Sequence, residues 1–182
     1  MQTFLEEVND KIHGVPIQRC FHCRKCTAGC PMAVAMDYKP NAVIKMVQRG
    51  QRKEVLRSSA IWLCASCETC TSRCPNQVDI ARMMDVLRQM ALETGAKIRE
   101  KKVVAFHEAF LASIRRGGRV NESLMVCQYK LKSGDLFSDM GVGLSMFAQG
   151  RLPLYRKKAK NVGQVREIFK RSHNGENEGG ER

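Results

Sequence analysis

The sequence predicts an all-α fold, and three observations support this prediction. Apolar residues recur every three or four positions in several segments, which is the spacing of a helix with one buried face. No segment of the 182 residues shows the sustained alternation of apolar and polar side chains that marks a half-buried strand. Residues that commonly start or end helices flank the periodic segments. We therefore expect helices joined by turns.

The first half of the chain contains four predicted helices. Phe4, Leu5, Val8 and Ile12 define the first, which Gly14 should end. Pro40 can open the second, which should stop near Gly50, and Ser58 or Ser59 can cap a short third helix through Leu63. The fourth spans 78–94 and has an apolar face that includes Met83, Met84 and Met90, which we interpret as core residues.

The second half adds predicted helices at 97–116, 122–132, 136–147 and 164–171. Cys127 lies on the apolar face of the second of these, so we expect a buried thiol without a redox role. The final residues are rich in Asn, Gly and Glu, which is typical of a frayed tail. We divide the chain into a domain at 1–95, a helical and basic extension at 96–172, and a flexible tail at 173–182.

Eight of the nine cysteines fall into two runs with identical spacing, C-x2-C-x2-C-x3-C, each followed directly by proline. The first run is Cys20, Cys23, Cys26 and Cys30, and the second is Cys64, Cys67, Cys70 and Cys74. The two runs form an internal repeat with a period of 44 residues. Because they lie between predicted helices, we expect both runs to form turns.

This spacing predicts two [4Fe–4S] clusters. Three thiolates at x2 spacing can reach three corners of one iron–sulfur cube, and the proline after the fourth cysteine turns that residue away from its neighbours. In two-cluster bacterial ferredoxins the fourth cysteine of one run ligates the other cluster. We therefore assign Cys20, Cys23, Cys26 and Cys74 to cluster 1. The ligands of cluster 2 are then Cys64, Cys67, Cys70 and Cys30.

Structural zinc and disulfides are the alternatives. Zinc is satisfied by two CxxC pairs and does not call for a third cysteine at x2 spacing in each run. Disulfides persist in oxidising compartments, but the N-terminal residues resemble no signal peptide and no apolar run is long enough to span a membrane. We therefore expect a cytoplasmic protein without a direct membrane span.

Several neighbours of the cysteines are candidates for a supporting role. Arg24, Lys25 and Arg73 lie within or beside the runs, where positive charge can stabilise the reduced state of a cluster. His22 lies inside the first run, and we interpret it as a residue around the ligands because four thiolates are already assigned. Phe21 and Trp62 flank ligands, and we expect them to shield the clusters from water.

The two motifs resemble those of the C subunit of heterodisulfide reductase and its bacterial relatives. The residues that carry the resemblance are Cys20-Phe21-His22-Cys23-Arg24-Lys25-Cys26-Thr27-Ala28-Gly29-Cys30-Pro31 and Cys64-Ala65-Ser66-Cys67-Glu68-Thr69-Cys70-Thr71-Ser72-Arg73-Cys74-Pro75. Between them, Pro40–Val47 and Ile61–Cys64 fit the helix–linker pattern of the family. The resemblance covers about residues 1–95 and implies an α-helical ferredoxin fold around two [4Fe–4S] clusters.

The resemblance also implies a non-catalytic electron-transfer subunit. In that family such a subunit relays electrons from a flavin-containing iron–sulfur subunit to a catalytic subunit with CCG motifs. This chain has no Cys-Cys pair, no Gly-rich dinucleotide fingerprint and no clear catalytic constellation, which agrees with that role. The alternatives are an iron–sulfur subunit of another flavin- or quinone-linked oxidoreductase, and a zinc-stapled basic interaction module.

The formal net charge of +13 raises the question of nucleic acid. The densest basic stretch, 151–171, holds eight basic residues and one acidic residue, with few aromatic residues between them. No known nucleic-acid module fits this pattern. We therefore interpret the stretch as a docking segment for an acidic partner subunit.

Overall fold

The computed structural model describes residues 2–134, 141, 145–146, 148–150 and 159–178, and of 173–178 only the backbone. The chain forms two compact units, Met1–Glu100 and Lys101–Arg182. Every described element of both units is helical, and no strand occurs in the described residues. The prediction of an all-α fold is therefore confirmed.

Among its described residues, the first unit contains seven α-helices and one short 3-10 helix at Ile17–Arg19. The α-helices are α1 (Phe4–Ile12), α2 (Lys25–Ala28), α3 (Pro40–Gln48), α4 (Arg52–Leu56), α5 (Ala60–Leu63), α6 (Thr69–Ser72) and α7 (Ile80–Glu93). The predicted helices correspond to α1, α3, α5 and α7. The sequence did not indicate α4, nor the one-turn helices α2 and α6 inside the cysteine runs.

Helix α1 begins and ends through local side-chain and backbone contacts. Thr3 and Glu6 form a reciprocal capping box, in which the Thr3 hydroxyl accepts from the Glu6 N–H and the Glu6 carboxylate accepts from the Thr3 N–H. The helix ends at His13, which adopts a left-handed conformation with φ 51°. The expected stop at Gly14 is thus one residue too late, because His13 itself makes the C-terminal turn.

Helix α7 provides much of the core of the first unit. Its N-cap Asp79 accepts a hydrogen bond from the N–H of Arg82 at 2.9 Å. The buried face of α7 includes Met83, Met84 and Met90, which are at most 1% exposed, as predicted for core residues. Side chains of this size each stabilise the fold by about 1.5–3 kcal/mol when they are fully buried. The face packs against α1, α4 and α5.

The expected serine cap of α5 is wrong. Ser59 occupies the N-cap position, but its side chain makes no capping hydrogen bond. The carboxylate of Asp37 caps the helix instead, because its two oxygens accept from the N–H groups of Ser59 and Ala60, both at 2.9 Å. Asp37 precedes these residues by 22 and 23 positions, so the local sequence around α5 does not indicate this cap.

The second unit contains α8 (Lys101–Gly117), α9 (Glu122–Ser133) and α10 (Val162–Glu178) among its described residues. Helix α8 packs against both α9 and α10. Its start is four residues later than predicted, and α10 extends beyond the predicted 164–171 into the segment expected to be a tail. The predicted helix at 136–147 and the basic residues of 151–158 lie largely or wholly outside the described residues.

The side chain of Ser113 on α8 makes a hydrogen bond to the residue that caps α9. Ser113 is 2% exposed, and its hydroxyl accepts from the N–H of Asn121 at 2.9 Å. Asn121 in turn caps α9 by accepting from the N–H of Leu124. Cys127 on α9 is exposed, so the expectation of a buried thiol is wrong. No helix within the described part of the chain is both long and apolar enough to cross a membrane.

Candidate metal centre

The two cysteine runs share one backbone conformation. The second residue after the first cysteine of each run has a positive φ, 53° at His22 and 47° at Ser66. The residue after each second cysteine also has a positive φ, 63° at Arg24 and 61° at Glu68. Left-handed conformations are uncommon for residues other than glycine and cost about 1–2 kcal/mol each. Their repetition at equivalent positions shows that both loops are bent in the same way.

The third cysteine of each run lies on a one-turn helix, Cys26 on α2 and Cys70 on α6. The expectation that the runs consist only of turns is therefore wrong. The strained residues Arg24 and Glu68 are the N-caps of these two helices. The bend before each short helix thus sets where the third cysteine lies.

A threonine after the third cysteine anchors each short helix to the start of a longer one. The Thr27 hydroxyl donates to Asn41 Oδ1 at 2.7 Å and accepts from the Asn41 N–H at 3.2 Å. The Thr71 hydroxyl donates to Asp79 Oδ1 at 3.1 Å and accepts from the Ala81 N–H at 3.3 Å. Helices α3 and α7 therefore position Cys26 and Cys70 through matching contacts.

The folded chain groups the eight cysteines into two sets, each around its own cavity. Site A is lined by Cys20, Cys23, Cys26 and Cys74 and is a partly open cavity of about 330 Å³, which includes the solvent space at its mouth. Site B is lined by Cys30, Cys64, Cys67 and Cys70 and measures about 390 Å³ in the same way. The structure therefore brings together the two sets that the crossed assignment names, and cluster ligation by these sets stays a prediction.

The donor sets fit iron–sulfur clusters. Four thiols surround each cavity, and thiolates are the ligands that hold cubane clusters. All nine cysteines are described, and all are free thiols. Among the described residues, no group of three or more His, Cys, Asp or Glu side chains lies close enough together to hold a single metal ion.

Backbone N–H groups point at several of the sulfurs. The His22 N–H donates to Cys20 Sγ at 3.4 Å, and the Val78 N–H donates to Cys74 Sγ at 3.3 Å. The Ser66 N–H makes the corresponding contact with Cys64. Such hydrogen bonds stabilise negative charge on sulfur and thereby favour the thiolate that a cluster requires.

Burial has the opposite effect, because it disfavours the charged thiolate form of the cysteines. Burial raises the pKa of Cys20, Cys26 and Cys64 above the ordinary value of a thiol. Burial, together with the nearby Cys64, raises the pKa of Cys70 to about 11. Cys67 differs, because its hydrogen bond with Thr69 lowers its pKa. Cluster binding therefore has to displace protons from most of these sulfurs.

His22 lines site A and carries a buried nitrogen without a partner. Its Nε2 lies 2.8 Å from Gln48 Oε1, and Gln48 Nε2 donates to the Ile17 carbonyl oxygen at 2.9 Å. His22 Nδ1 is buried and has no hydrogen-bond partner in the described part of the chain. A buried polar atom without a partner, in a residue that lines a cavity, suggests that a bound group supplies the partner. This placement agrees with the interpretation of His22 as a residue around the ligands.

The two aromatic residues beside the ligands differ in burial. Trp62 lies in α5 and is 4% exposed. Phe21 lines site A, but 74% of its surface is exposed. Trp62 is therefore buried and Phe21 faces solvent, and the expectation that these rings shield the clusters from water stays a prediction.

Sequence reasoning missed Arg88 on α7, which braces the loop of the second run. Its Nη2 donates to the Cys64 carbonyl oxygen and its Nε to the Ile61 carbonyl oxygen. Its Nη1 donates to Asp85 Oδ1 at 2.9 Å and to Ser66 Oγ at 3.3 Å. Nothing near Arg88 in the sequence signals this role. The anchoring threonines could have been found, because Thr27 and Thr71 occupy the same position in both runs.

Comparison with known proteins agrees with this geometry. Residues 16–78 match the family model of the 4Fe-4S dicluster domain, and this span contains all eight cysteines of the two runs. The chain is 30% identical over 109 residues to the iron-sulfur C subunit of the CoB–CoM heterodisulfide reductase of Methanopyrus kandleri, a match that covers 56% of this chain and 57% of that protein.

Two further relatives are also C subunits. That of the ferredoxin:CoB-CoM heterodisulfide reductase of Methanosarcina acetivorans is 41% identical over 92 residues, covering 50% of this chain and 36% of the relative. The chain is therefore similar to heterodisulfide reductase C subunits of several organisms. The C subunit of the H2:CoB-CoM heterodisulfide, ferredoxin reductase of Methanothermobacter thermautotrophicus is 27% identical over 134 residues, covering 72% of this chain and 71% of the relative.

The similarity to these C subunits and the domain match support an iron–sulfur, electron-transfer role for the chain. The matches span only 57% and 36% of the lengths of the first two relatives. The reactions named for those enzymes belong to those enzymes as whole complexes.

Proposed function

We propose that this chain is the electron-transfer subunit of a heterodisulfide reductase-type complex and that it holds two [4Fe–4S] clusters. The cysteines of site A would hold one cluster and those of site B the other. The observation that carries this proposal is the grouping of the eight cysteines around two cavities, each with three cysteines from one run and the fourth from the other run.

The bound clusters would supply one-electron redox chemistry. The residues of this chain contribute binding and positioning. Eight thiolates ligate, backbone N–H groups stabilise their charge, and the threonine anchors and Arg88 hold the loops in place. The chain contains no Cys-Cys pair, so we place no disulfide-cleaving site in it.

The proposed neighbours are a flavin-containing iron–sulfur subunit, which supplies electrons, and a catalytic subunit with CCG motifs, which receives them. The names of the relatives support membership of a complex of several subunits. We propose that residues 1–95 carry the electrons and that the basic segment 96–172 docks on the partner subunits, with 173–182 as a flexible tail. We expect a cytoplasmic complex and no nucleic-acid partner.

Anaerobic purification followed by iron, sulfide and zinc analysis tests the cofactor content. Two cubes require about eight irons and about eight sulfides per chain. Near-zero iron with stoichiometric zinc would contradict the proposal. The isolated, cluster-loaded chain should reduce no disulfide, and sustained turnover by this chain alone would contradict the non-catalytic role.

Copurification of the native complex tests the partners. A flavin protein and a protein with CCG motifs should accompany this chain. A membrane cytochrome in their place would favour the alternative of a quinone-linked oxidoreductase.

A further inference from the structure

Two of the hydrogen-bonding contacts to the sulfurs recur in both sites. In site A, Cys20 accepts from the His22 N–H; in site B, Cys64 accepts from the Ser66 N–H. Thr27 and Thr71 make equivalent contacts with the third cysteine of their runs. Because these contacts repeat, they do not distinguish the electronic surroundings of the two sites. Among the described residues, the contacts that do not repeat are one in each site, from the Val78 N–H to Cys74 Sγ in site A and between Cys67 and Thr69 in site B. The main difference between the sites is in the charged residues around them.

Two basic residues, Arg24 and Lys25, are among the residues that line site A, together with His22, Asn41 and Asn76. Both basic residues are exposed, and the surface of the cavity itself is mostly apolar, as it is in site B. None of the described residues that line this cavity is acidic. Reduction of a cluster adds a negative charge, which nearby cations and polar groups stabilise.

The rest of the lining of site B is mostly apolar. It includes three methionines, two prolines and two alanines: Met32, Met36, Met84, Pro31, Pro40, Ala65 and Ala81. Its described lining contains no basic residue. Because none of these residues carries a positive charge, they stabilise an added negative charge less than the residues of site A do.

The equivalent positions of the repeat show the same contrast in charge. Arg24 and Lys25 of the first run correspond to Glu68 and Thr69 of the second, which changes the charge at these positions from +2 to −1. Near site B, Arg88 is paired with Asp85 at 2.9 Å, so the charges of these two residues largely cancel. A Cβ atom at Gly29 would lie 2.7 Å from the Arg73 guanidinium, so Arg73 lies between the two runs and favours neither site clearly.

We propose that the cluster site lined by Cys20, Cys23, Cys26 and Cys74 has the higher reduction potential, so that electrons pass through this chain from site B to site A. This inference rests on the proposed function. In the transfer step site B loses one electron and site A gains it, without proton transfer. A reduced iron–sulfur or flavin donor then restores the electron to site B. The positive charges of Arg24 and Lys25 stabilise the reduced cluster in site A, and neither residue is a ligand of it.

An EPR-monitored redox titration of the cluster-loaded chain at low ionic strength tests this inference. Low salt is needed because both cations are exposed and therefore screened. The unsubstituted chain should show two separate one-electron steps. We expect the first electron to favour one site at least tenfold, which corresponds to a separation of about 59 mV for a one-electron couple.

The double variant Arg24→Gln and Lys25→Gln should lower the reduction potential of the step at higher potential (the upper step). It should leave the potential of the other step (the lower step) unchanged. The matched control is Arg49→Gln with Lys53→Gln, which removes the same charge from exposed residues that line neither cavity. This control should leave the separation between the steps unchanged. The independent variant Glu68→Gln should raise the reduction potential of the lower step.

A shift of the lower step by the Arg24 and Lys25 substitutions would overturn the inference. So would equal shifts of both steps, or coincident steps in the unsubstituted chain. The iron analysis separates this failure from a failure of the proposed function. If about eight irons are present and the order of potentials is reversed, only the direction of electron flow is wrong.

Discussion

Arg88 donates a hydrogen bond to the backbone carbonyl oxygen of Cys64, the first cysteine of the second run, from a position 24 residues later in the chain. The same guanidinium donates to the Ile61 carbonyl oxygen near the end of α5. The Arg88 side chain is only 15% exposed, and its remaining contacts are with Asp85 and Ser66. One side chain of the core helix α7 therefore holds both the end of α5 and the beginning of a ligand loop.

The substitution Arg88→Met should weaken site B. It keeps most of the length of the side chain but leaves two part-buried carbonyl oxygens without donors, at a cost of about 1–3 kcal/mol each. We expect a lower free energy of unfolding in denaturant titration and faster loss of about half of the iron to a chelator. The exposed Arg49→Met is the control. Equal stability and equal iron retention in both variants would contradict the bracing role.

The crossed assignment predicts opposite effects for the two fourth cysteines. Cys74→Ala should impair the cluster held by the first three cysteines of the other run, and Cys30→Ala should impair the cluster of site B. Mössbauer or EPR spectra of each variant should therefore lose a different component. Cys127→Ala, which removes an exposed thiol outside both sites, should leave both components intact. If each variant instead lost the spectral component of the cluster held by the first three cysteines of its own run, the crossed assignment would be refuted.

The hydroxyls of Thr27 and Thr71, which hold α2 and α6 to longer helices, lead to the same prediction at both sites. Thr71→Val keeps the shape of the side chain but leaves the Ala81 N–H without its acceptor, so we expect α6 to detach from the start of α7. The expected loss is about 1–3 kcal/mol of unfolding free energy, with reduced cluster retention in site B. Thr71→Ser keeps the hydroxyl and should retain most of the stability. Thr27→Val should act in the same way on site A. A Thr71→Ser variant as unstable as Thr71→Val would show that the hydroxyl is not the anchor.

Asp37 should make the stability of the first unit depend on pH. Burial tends to raise the pKa of Asp37, but the hydrogen bonds that it accepts from the N–H groups of Ser59, Ala60 and Tyr38 outweigh burial and hold it below its ordinary value of 3.8. A carboxyl group with a lowered folded pKa contributes stability above its unfolded pKa. That contribution is lost as the pH falls through the unfolded pKa towards the folded one.

Asp37→Ala should lower the unfolding free energy at neutral pH by roughly 1 kcal/mol, which is typical for loss of a helix cap. Its stability should also fall less steeply below about pH 4 than that of the unsubstituted chain. Asp37→Asn keeps an acceptor without the charge, so it should retain part of the stability while losing the same pH dependence. If the unfolding free energies of Asp37→Ala and the unsubstituted chain changed with pH in parallel, the Asp37 carboxylate would be excluded as the source of the pH dependence.

The local sequence was sufficient to predict the longer helices of the first unit and the candidate ligands. Pro40 opens α3 as expected, and the apolar spacing of Met83, Met84 and Met90 places them on the buried face of α7. Helix starts and amphipathic faces depend on residues three or four positions apart, which is why periodicity finds them. The cysteine spacing, read with the crossed ligation of two-cluster ferredoxins, divides the eight residues into the two sets that line the cavities.

Only the tertiary structure decided the contacts between residues that are distant in sequence. The Asp37 cap of α5, the His22–Gln48 contact and the brace from Arg88 span 22 to 27 residues, so no local pattern predicts them. Burial is decided in the same way, which is why Cys127 is exposed despite lying at apolar spacing. The sequence by itself determined which residues can ligate. The packing of α3, α5 and α7 determined where these candidate ligands lie and which side chains surround them, because packing depends on the whole set of neighbours at once.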